Sequence, residues 1–497
     1  MLPNIASGTG LAKIAGPNGM STDTLSTVIA LDAWAKKPDE AFELSSKYGV
    51  LKLDTCLRHL PTKRLTCRAM WQGKPVIAKL FYGPGFNAKL MKEALMLQAL
   101  KKSSISAPEM LYSEKQADYG LLIIQYIEEA ETLSSFFWAH PEQEEFEARL
   151  LAITQLMLAC QQAGFEIKDA HLDNFLYRQG DVYLIDAGDI SKKSHPLSQP
   201  ITVKNLALLY AQLPITLDQQ ACQLLTRVLK DLPQWQHLHE GSWQQALIEQ
   251  RRWRQKKFIN KKVFRSCTDY ISEHNQSRFL MAKRDIYSNE MALALADLDG
   301  LIDNGQLLKD GGTATVALVK IAGQAYVLKR YNIKKPIHSL MRGLKWSRAA
   351  VSWKNGLLLE MLGIPTAQSY VMIEQRWGPL RRRSYLLSEY IDAPQAWDIY
   401  EGEQYDDEIK KHWARKIVDL FVLLKRSQIS HGDLKAQNIL CPEDGPLFID
   451  LDGLKSSQAF TGFLYQFNKD IKRFQISWPD QWKENPYFLK YVPLLLK

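Results

Sequence analysis

Cysteine is scarce in this chain, and its few copies lack the spacing of a metal site or a disulfide framework. Six cysteines are spread over 497 residues, and no two of them form a Cys-x-x-Cys pair. This pattern predicts thiols that stay reduced and pack inside a cytoplasmic protein. They are Cys56, Cys67, Cys160, Cys222, Cys267 and Cys441.

Long apolar runs are also missing. No stretch approaches the roughly 18 residues of a membrane-spanning helix, so we do not expect an integral membrane protein. Residues 1–24 are rich in glycine, serine and asparagine and lack the compact apolar core of a secretory signal. They predict a disordered leader, or a start site placed too early, with Met20 as the true initiator.

One polar pattern is present twice, 264 residues apart. Lys168-Asp169-Ala170-His171-Leu172-Asp173-Asn174 is followed by Leu184-Ile185-Asp186, and His431-Gly432-Asp433-Leu434-Lys435-Ala436-Gln437-Asn438 by Phe448-Ile449-Asp450. In both copies an Asn lies five residues after the first Asp, and another Asp lies seventeen after it. A single Asp-x4-Asn is an ordinary polar loop. Its repetition with the same second spacing favours a functional reading.

This spacing is typical of a phosphotransferase, whose catalytic loop is followed by a strand that ends at a metal ligand. The first Asp of each copy, Asp169 or Asp433, would orient the acceptor hydroxyl and take its proton. His171 and Lys435, two residues further on, would steady the transferring phosphoryl group. The later Asn and Asp would hold Mg²⁺ against the phosphates of ATP. These metal ligands are Asn174 and Asp186 in the first copy, and Asn438 and Asp450 in the second.

Each copy has a lysine on an upstream β-prone run. Lys79 lies in Pro75–Phe81 and Lys329 in Ala325–Tyr331, and a glycine turn precedes each run. The turns predict hairpins that lead into the lysine strands, with both lysines contacting ATP phosphates. Glu93, on an amphipathic helix after the first lysine, is available to pair with Lys79.

The two copies differ in what completes them. The second has a glycine-rich segment in which Gly311 and Gly312 would let backbone N–H groups approach phosphates. The first has Arg58–Arg64 there, without glycine. Conversely, the second copy has no acid at the position of Glu93; Ser352 is nearest, and Glu360 lies two turns later. Either half, or both, could be active.

The second half resembles the lipopolysaccharide core kinase family, which phosphorylates heptose or 3-deoxy-D-manno-octulosonic acid. The resemblance covers about residues 257–475, and about 50–190 resemble the same superfamily more loosely, with Ile167 in place of His431. It implies ATP, Mg²⁺, a sugar hydroxyl as acceptor, and Asp452 as an alternative metal ligand. The matching segments are His431–Asn438, Ile449–Asp452, Arg265–Thr268 and Gly363–Thr366.

The resemblance also implies the fold class, which is α+β: two tandem bilobal protein-kinase-like domains, each with a small β-rich lobe and a larger helical lobe. We place a leader at 1–24, a first domain at 25–250 and a second at 251–497. Hinge candidates are Gln125–Glu128 and Ser388–Ile391, where backbone groups beside Glu128 and Glu389 would hold adenine.

A non-protein acceptor is favoured by the short C-terminal part of the chain. Only 47 residues follow Asp450, and no Ala-Pro-Glu motif follows either metal Asp. A protein kinase usually needs well over a hundred residues there. These absences weaken the hypothesis of a protein kinase.

Positive charge is concentrated at the domain boundary. The net charge is +9, and eight of the fifteen residues from Arg251 to Arg265 are Lys or Arg, with Trp253 and Phe258 among them. Further basic clusters are Lys329–Arg348 and Arg381–Arg383. This composition favours an anionic glycolipid or the anionic inner-membrane face, each charge adding up to about 1 kcal/mol. A solvated linker helix is the alternative, and we expect no nucleic acid.

The sequence therefore predicts an ATP- and Mg²⁺-dependent phosphotransferase acting on a sugar hydroxyl of the lipopolysaccharide inner core. It would work at the cytoplasmic face of the inner membrane of a Gram-negative bacterium. Two alternatives remain. One is a tandem pseudokinase scaffold for envelope biogenesis, and the other is a small-molecule kinase of the aminoglycoside or choline type, which an acidic acceptor pocket would favour.

Overall fold

The structure is a computed structural model that describes residues 27–38, 40–139, 143–230, 232, 240–332, 346–378, 380–456, 460–478, 486–491 and 495. The leader at 1–24 and residues 333–345 of a basic cluster lie outside the described residues. The chain divides into two compact units. The N-terminal unit is Met1–Gln212 with Gln220–Leu247, and the C-terminal unit is Leu213–Gln219 with Ile248–Lys497. Each combines helices with antiparallel sheets, so the expected mixture of helix and strand is confirmed.

The N-terminal unit is built on a six-stranded antiparallel sheet in the order β1-β2-β3-β4-β6-β5. Helices α6 and α7 have residues in both units. The elements are Thr27–Lys36 (α1), Phe42–Ser46 (β1), Gly49–Leu60 (β2), Arg64–Trp71 (β3), Lys74–Tyr82 (β4), Phe86–Lys102 (α2), Met110–Lys115 (β5), Tyr119–Gln125 (β6), Glu131–Thr132 (β7), Leu133–Trp138 (α3), Gln143–Gln162 (α4), Phe165–Ile167 (β8), Phe175–Arg178 (β9), Asp181–Leu184 (β10), Ile190–Lys192 (β11), Gln199–Tyr210 (α5), Asp218–Lys230 (α6) and Glu240–Lys261 (α7).

The C-terminal unit is built on a seven-stranded antiparallel sheet in the order β12-β13-β17-β18-β16-β15-β14. Its elements are Tyr270–His274 (β12), Arg278–Lys283 (β13), Asn289–Ala294 (α8), Leu298–Asp303 (α9), Gln306–Gly311 (β14), Ala314–Ile321 (β15), Gln324–Tyr331 (β16), Arg348–Leu362 (α10), Ser369–Trp377 (β17), Leu380–Glu389 (β18), Ala396–Glu401 (α11), Asp407–Ser427 (α12), Ile429–Ser430 (β19), Ile439–Leu440 (β20), Leu447–Phe448 (β21), Lys455–Ser456 (β22), Phe460–Ile476 (α13) and Pro486–Leu489 (α14).

Five strands of the two sheets share one order. In the first unit it is β2-β3-β4-β6-β5, and in the second it is β14-β15-β16-β18-β17. The third strand of each set carries the lysine, and a long helix follows it: α2 after β4 and α10 after β16. Each lysine strand is thus flanked by two neighbours and held in the middle of its sheet.

The turns before the lysine strands explain why these segments form hairpins. Gln72 and Gly73 join β3 to β4, and Ala322 and Gly323 join β15 to β16. All four residues have positive φ angles, between 50° and 81°. Two consecutive positive φ angles are the signature of a type I′ turn, whose twist matches that of the flanking strands. Both hairpins predicted from the glycine turns are confirmed.

Helix α10 is delimited by its capping residues. The hydroxyl of Ser347 accepts a hydrogen bond from the N–H of Ala350, and Gly363 ends the helix with a φ of 70°. Glycine adopts this left-handed C-cap without steric cost. Most of the helix is buried, with Trp353 completely enclosed and its indole N–H donating to the carbonyl of Val263 at 2.9 Å.

Candidate active sites

The catalytic-type loop of the C-terminal unit is closed by its own hydrogen bonds. Asn438 Nδ2 donates to the backbone oxygen of Asp433 at 2.8 Å, and the N–H of Ile449 donates to the backbone oxygen of Asn438 at 3.0 Å. The first bond closes the five-residue interval between Asp433 and Asn438. The second places Asn438 beside Ile449, the residue before Asp450. The two spacings in the sequence therefore correspond to two contacts that gather Asp433, Asn438 and Asp450.

Glycine at position 432 is a steric requirement of this loop. Its φ is 82°, and an added Cβ would lie 2.1 Å from the backbone oxygen of Gly453. Any side chain there would force the loop away from the segment that carries Asp450 and Asp452.

Two cations flank the carboxylate of Asp433. Lys435 Nζ lies 3.0 Å from its Oδ2, and the guanidinium of Arg473, on α13, forms an ion pair with its Oδ1. The Asp433 side chain is about one quarter exposed, so its carboxylate is accessible to solvent. The predicted base and Lys435 are thus brought together, whereas Arg473 was missed.

Lys329 and Asp450 meet although 121 residues separate them. Lys329 Nζ donates to Asp450 Oδ1 at 2.6 Å. Burial alone would raise the pKa of Asp450, but the adjacent ammonium of Lys329 holds it below its usual value. Burial alone would lower the pKa of Lys329, but Tyr331 and Asp450 raise it. Both groups are therefore charged near neutral pH.

Asp450 has a left-handed backbone, with a φ of 59° and a ψ of 65°. Residues other than glycine rarely adopt this conformation, and it is retained where the surrounding structure over-determines it, often at functional sites. Here it turns the chain sharply out of β21.

A second carboxylate lies two residues beyond Asp450. Asp452 forms an ion pair with Arg348, the first residue of α10. Burial, and then the negative charge of Asp450, raise the pKa of Asp452 above its usual value. The structure thus brings two carboxylates and two cations, Lys329 and Arg348, into one cluster.

No acid of α10 pairs with Lys329. The hydroxyl of Ser352 shares a hydrogen bond of 2.8 Å with Tyr331, and Glu360 binds Lys283 at 2.8 Å. The absence of a Glu93 counterpart was expected from the sequence. The ion pair between Arg348, at the start of the helix, and Asp452 was not expected from the sequence.

The glycine-rich segment forms a tight hairpin end. Gly311 is the last residue of β14, and Gly312 and Thr313 form the turn to β15. The backbone oxygens of Gly311 and Thr313 accept hydrogen bonds from Asn332 and Arg348, respectively. The segment is therefore anchored to α10 and to Asn332, the residue that follows β16.

The hinge candidates both begin at the end of the strand that borders the lysine strand, β6 in the first unit and β18 in the second. Glu389 is the last residue of β18, and its N–H donates to the backbone oxygen of Gln368 at 2.9 Å. Since that N–H is engaged, adenine would have to use the backbone carbonyl of Glu389 or the residues after it. In the N-terminal unit, Glu128 lies exposed in a turn after β6.

The N-terminal unit brings together its predicted lysine and glutamate. Lys79 Nζ lies 2.5 Å from Glu93 Oε1, and it also donates to the backbone oxygen of Ile185 at 3.1 Å. Both side chains are buried, with exposures of 8% and 1%. Helix α2 is thus tied to the lysine strand and to the residue before Asp186.

The catalytic-type loop of this unit repeats the closing bonds. Asn174 Nδ2 donates to the backbone oxygen of Asp169 at 3.0 Å, and the N–H of Ile185 donates to the backbone oxygen of Asn174 at 2.9 Å. Arg64 lies 3.7 Å from Asp186. Burial would raise the pKa of Asp186, but Lys79 and Arg64 lower it.

The surroundings of Asp169 in the N-terminal loop differ from those of Asp433 in the C-terminal loop. His171 Nδ1 lies 3.0 Å from a carboxylate oxygen of Asp173, its neighbour two residues on. Asp169 is exposed, and within the described part of the chain no cation forms an ion pair with its carboxylate. The two cations that flank Asp433 therefore have no equivalent around Asp169.

His431, the residue before Gly432, is completely buried against Phe448, with ring centroids 5.2 Å apart. Burial lowers the pKa of His431 to about 4. The unfolded chain, with a histidine pKa of about 6.5, binds a proton first as pH falls, so stability falls from about pH 6.5 downward.

Because of this lowered pKa, we expect the free energy of unfolding to fall by about 2 kcal/mol as the pH is lowered from 7 to 5. Thermal unfolding of wild type and His431→Gln should therefore converge at acidic pH, with the wild-type midpoint falling more steeply. Parallel midpoints across this range would show that His431 does not titrate between the two states.

Asp470, on α13, contacts the loop directly and was missed by the sequence analysis. Its two carboxylate oxygens accept the N–H of Gly432 at 3.0 and 3.1 Å, and its side chain is buried. Arg473 lies one turn later on the same helix. Helix α13 thus contacts both the backbone of the loop, at Gly432, and the carboxylate of Asp433. Asp470 and Arg473 are three residues apart but belong to no recognisable motif, so the sequence did not indicate their role.

We expect Asp470→Leu to lower kcat about a hundredfold, because displacement of the loop misplaces Asp433. Asp470→Asn keeps one acceptor oxygen and should lose about tenfold or less. Steady-state kinetics would measure both variants, with the KM for ATP near that of wild type. Equal losses in kcat and thermal stability for the two variants would contradict a positioning role.

The oxygen donors of the C-terminal unit fit Mg²⁺, which prefers carboxylate and amide oxygens. The amide nitrogen of Asn438 is engaged by Asp433, so its Oδ1 is left to act as a ligand. Asp450 accepts a hydrogen bond from Lys329 through Oδ1, which leaves its other carboxylate oxygen as a possible metal ligand. The described residues contain no cluster of three or more His, Cys, Asp and Glu side chains that could hold a metal ion.

A strand lysine, a closed Asp-x4-Asn loop and a later Asp are parts that a phosphotransferase uses. Residues 306–481 match the model of the lipopolysaccharide kinase (Kdo/WaaP) family. No curated protein matches the chain. The match confirms the resemblance over these residues and supports a phosphotransferase. It includes none of the N-terminal unit, whose resemblance stays a prediction.

The basic segment at the domain boundary is not all surface. Arg251 is buried and forms an ion pair with Asp218, so its inclusion in a charged surface is wrong. Trp253 remains about half exposed, with the ammonium of Lys257 4.7 Å from its ring centre. Among the described residues, no helix is both long and apolar enough to cross a bilayer.

Proposed function

We propose that the C-terminal unit transfers the γ-phosphoryl group of ATP to a hydroxyl of an anionic sugar in the lipopolysaccharide inner core. The observation that carries this proposal is the cluster of Asp433, Lys435 and Arg473 in the region of the family match. A base flanked by two cations suits an acceptor that carries a carboxylate or a phosphate near the reacting hydroxyl.

In this mechanism Asp433 orients the acceptor hydroxyl and accepts its proton as the oxygen bonds to phosphorus and ADP leaves. Lys329 would neutralise charge on the α- and β-phosphates. Lys435 would stabilise the transferring group. Asn438 and Asp450 would hold Mg²⁺, which supplies charge neutralisation at the phosphates when it is bound.

We further propose that the chain consists of two tandem kinase-like domains, at 25–250 and 251–497. Support comes from the shared strand order, the helix after each lysine strand, and the pair of closing bonds present in both loops. Lys79, Glu93, Asp169, Asn174 and Asp186 would form a second active site or a nucleotide-binding regulator. A cytoplasmic, peripheral location on the inner membrane remains part of the proposal.

The test is ADP release by the intact protein with Mg·ATP and different acceptors. We expect inner-core lipopolysaccharide to stimulate release at least about tenfold over the rate without acceptor. Greater stimulation by a cationic aminoglycoside or by choline would favour the small-molecule kinase instead. Failure of the protein to bind ATP would favour the tandem pseudokinase scaffold.

A further inference from the structure

A cavity of about 430 Å³ lies in the C-terminal unit, between the end of α7 and one face of α10. Ile259 on α7 and Val351 on α10 contribute apolar walls. Its size is within the range of small-ligand sites. Arg348 and Ser352 of the same helix instead bond Asp452 and Tyr331, so the proposed active site and the cavity share α10.

Two aromatic rings form one wall of this cavity. Phe264 and Trp346 stack with their ring centroids 4.3 Å apart and an interplanar angle of 19°. The guanidinium of Arg381 lies 4.9 Å from the Trp346 ring centre. The Trp346 side chain nevertheless remains about half exposed. Such a rigid and partly exposed wall can bury an apolar group of a ligand at little entropic cost.

Two cations, Lys354 and Arg265, line the cavity. Within the described part of the chain, neither Lys354 nor Arg265 forms an ion pair. Lys354 is partly buried, and this burial lowers its pKa. A partly desolvated ammonium without a partner is unfavourable, and an incoming anion would relieve that cost.

We propose that this cavity binds the phosphomonoester group of an amphiphile. The phosphate would bind Lys354 and Arg265, while the adjoining carbon chain packs on Phe264, Trp346 and Val351. Charge complementarity selects an anion, and the aromatic wall selects an anion attached to an apolar body. Such binding does not require the acceptor of the proposed function.

The test is calorimetric binding of three probes to the full-length protein: octanoyl lysophosphatidic acid, uncharged monooctanoyl glycerol and inorganic phosphate. We expect the first to bind at least about tenfold more tightly than either of the others. Lys354→Gln and Arg265→Gln should each weaken its binding about tenfold and leave the uncharged probe unaffected. Lys320→Gln, which removes an exposed charge of the same unit, should bind like wild type.

Three results would overturn the proposal. Equal affinity for the charged and uncharged probes would mean that the cations do not contribute. Equal affinity for inorganic phosphate would mean that the aromatic wall does not. Unchanged binding in Arg265→Gln, whose residue is exposed and whose fold thermal unfolding can verify, would place the ligand elsewhere even if Lys354→Gln failed to fold.

Discussion

Asp433→Asn is expected to lower the rate of phosphate transfer by about a thousandfold. The amide has nearly the shape of the carboxylate and cannot accept the proton of the acceptor hydroxyl, and general base catalysis typically contributes between a hundredfold and ten-thousandfold. The substitution also leaves the cations of Lys435 and Arg473 without their carboxylate. Steady-state ADP release in the presence of acceptor would measure the effect, and ATP binding should persist.

Two matched variants make this prediction specific. Asp444→Asn, an exposed residue in the turn between β20 and β21, changes the same group and should leave the rate unchanged. Asp169→Asn tests the N-terminal loop. Full activity in Asp433→Asn with loss in Asp169→Asn would contradict the assignment of catalysis to the C-terminal unit.

Asp450→Asn is expected to lower the rate at least about a hundredfold, because metal neutralisation of the phosphates is worth several kcal/mol. It removes the charge that pairs with Lys329 and weakens the oxygen donor proposed to hold Mg²⁺. We expect the Mg²⁺ concentration for half-maximal rate to rise as well. Mg²⁺ titrations at saturating ATP would measure both effects.

Asp452→Asn separates the two carboxylates of this cluster. Because Asp452 is bound to Arg348, we expect its substitution to have the smaller effect on the Mg²⁺ requirement. A larger shift in Asp452→Asn than in Asp450→Asn would contradict the assignment and make Asp452 the metal ligand.

Local spacing in the sequence predicted the parts of the site that are formed by neighbouring residues. The five-residue interval from Asp433 to Asn438 is closed by one hydrogen bond, and the hairpin before Lys329 is set by Ala322 and Gly323. Such features depend on backbone geometry over a few residues, so their pattern is readable without the tertiary structure.

Contacts made by distant elements could not be read in the same way. Asp470 and Arg473 act on the loop from α13, about 40 residues later, and Arg348 reaches Asp452 across 104 residues. The sequence placed Arg251 in a charged surface, but in the structure it is buried and forms an ion pair with Asp218. A charged residue in a sequence carries no mark of the partner that tertiary packing supplies.

The most direct test of the central claim is the fate of the phosphoryl group. The intact protein would be incubated with Mg·ATP and inner-core lipopolysaccharide, and the recovered glycolipid examined by ³¹P spectroscopy and mass. The account predicts one new phosphomonoester on the core sugar, absent when Asp433→Asn replaces wild type. ATP binding without any phosphate on the glycolipid would contradict it.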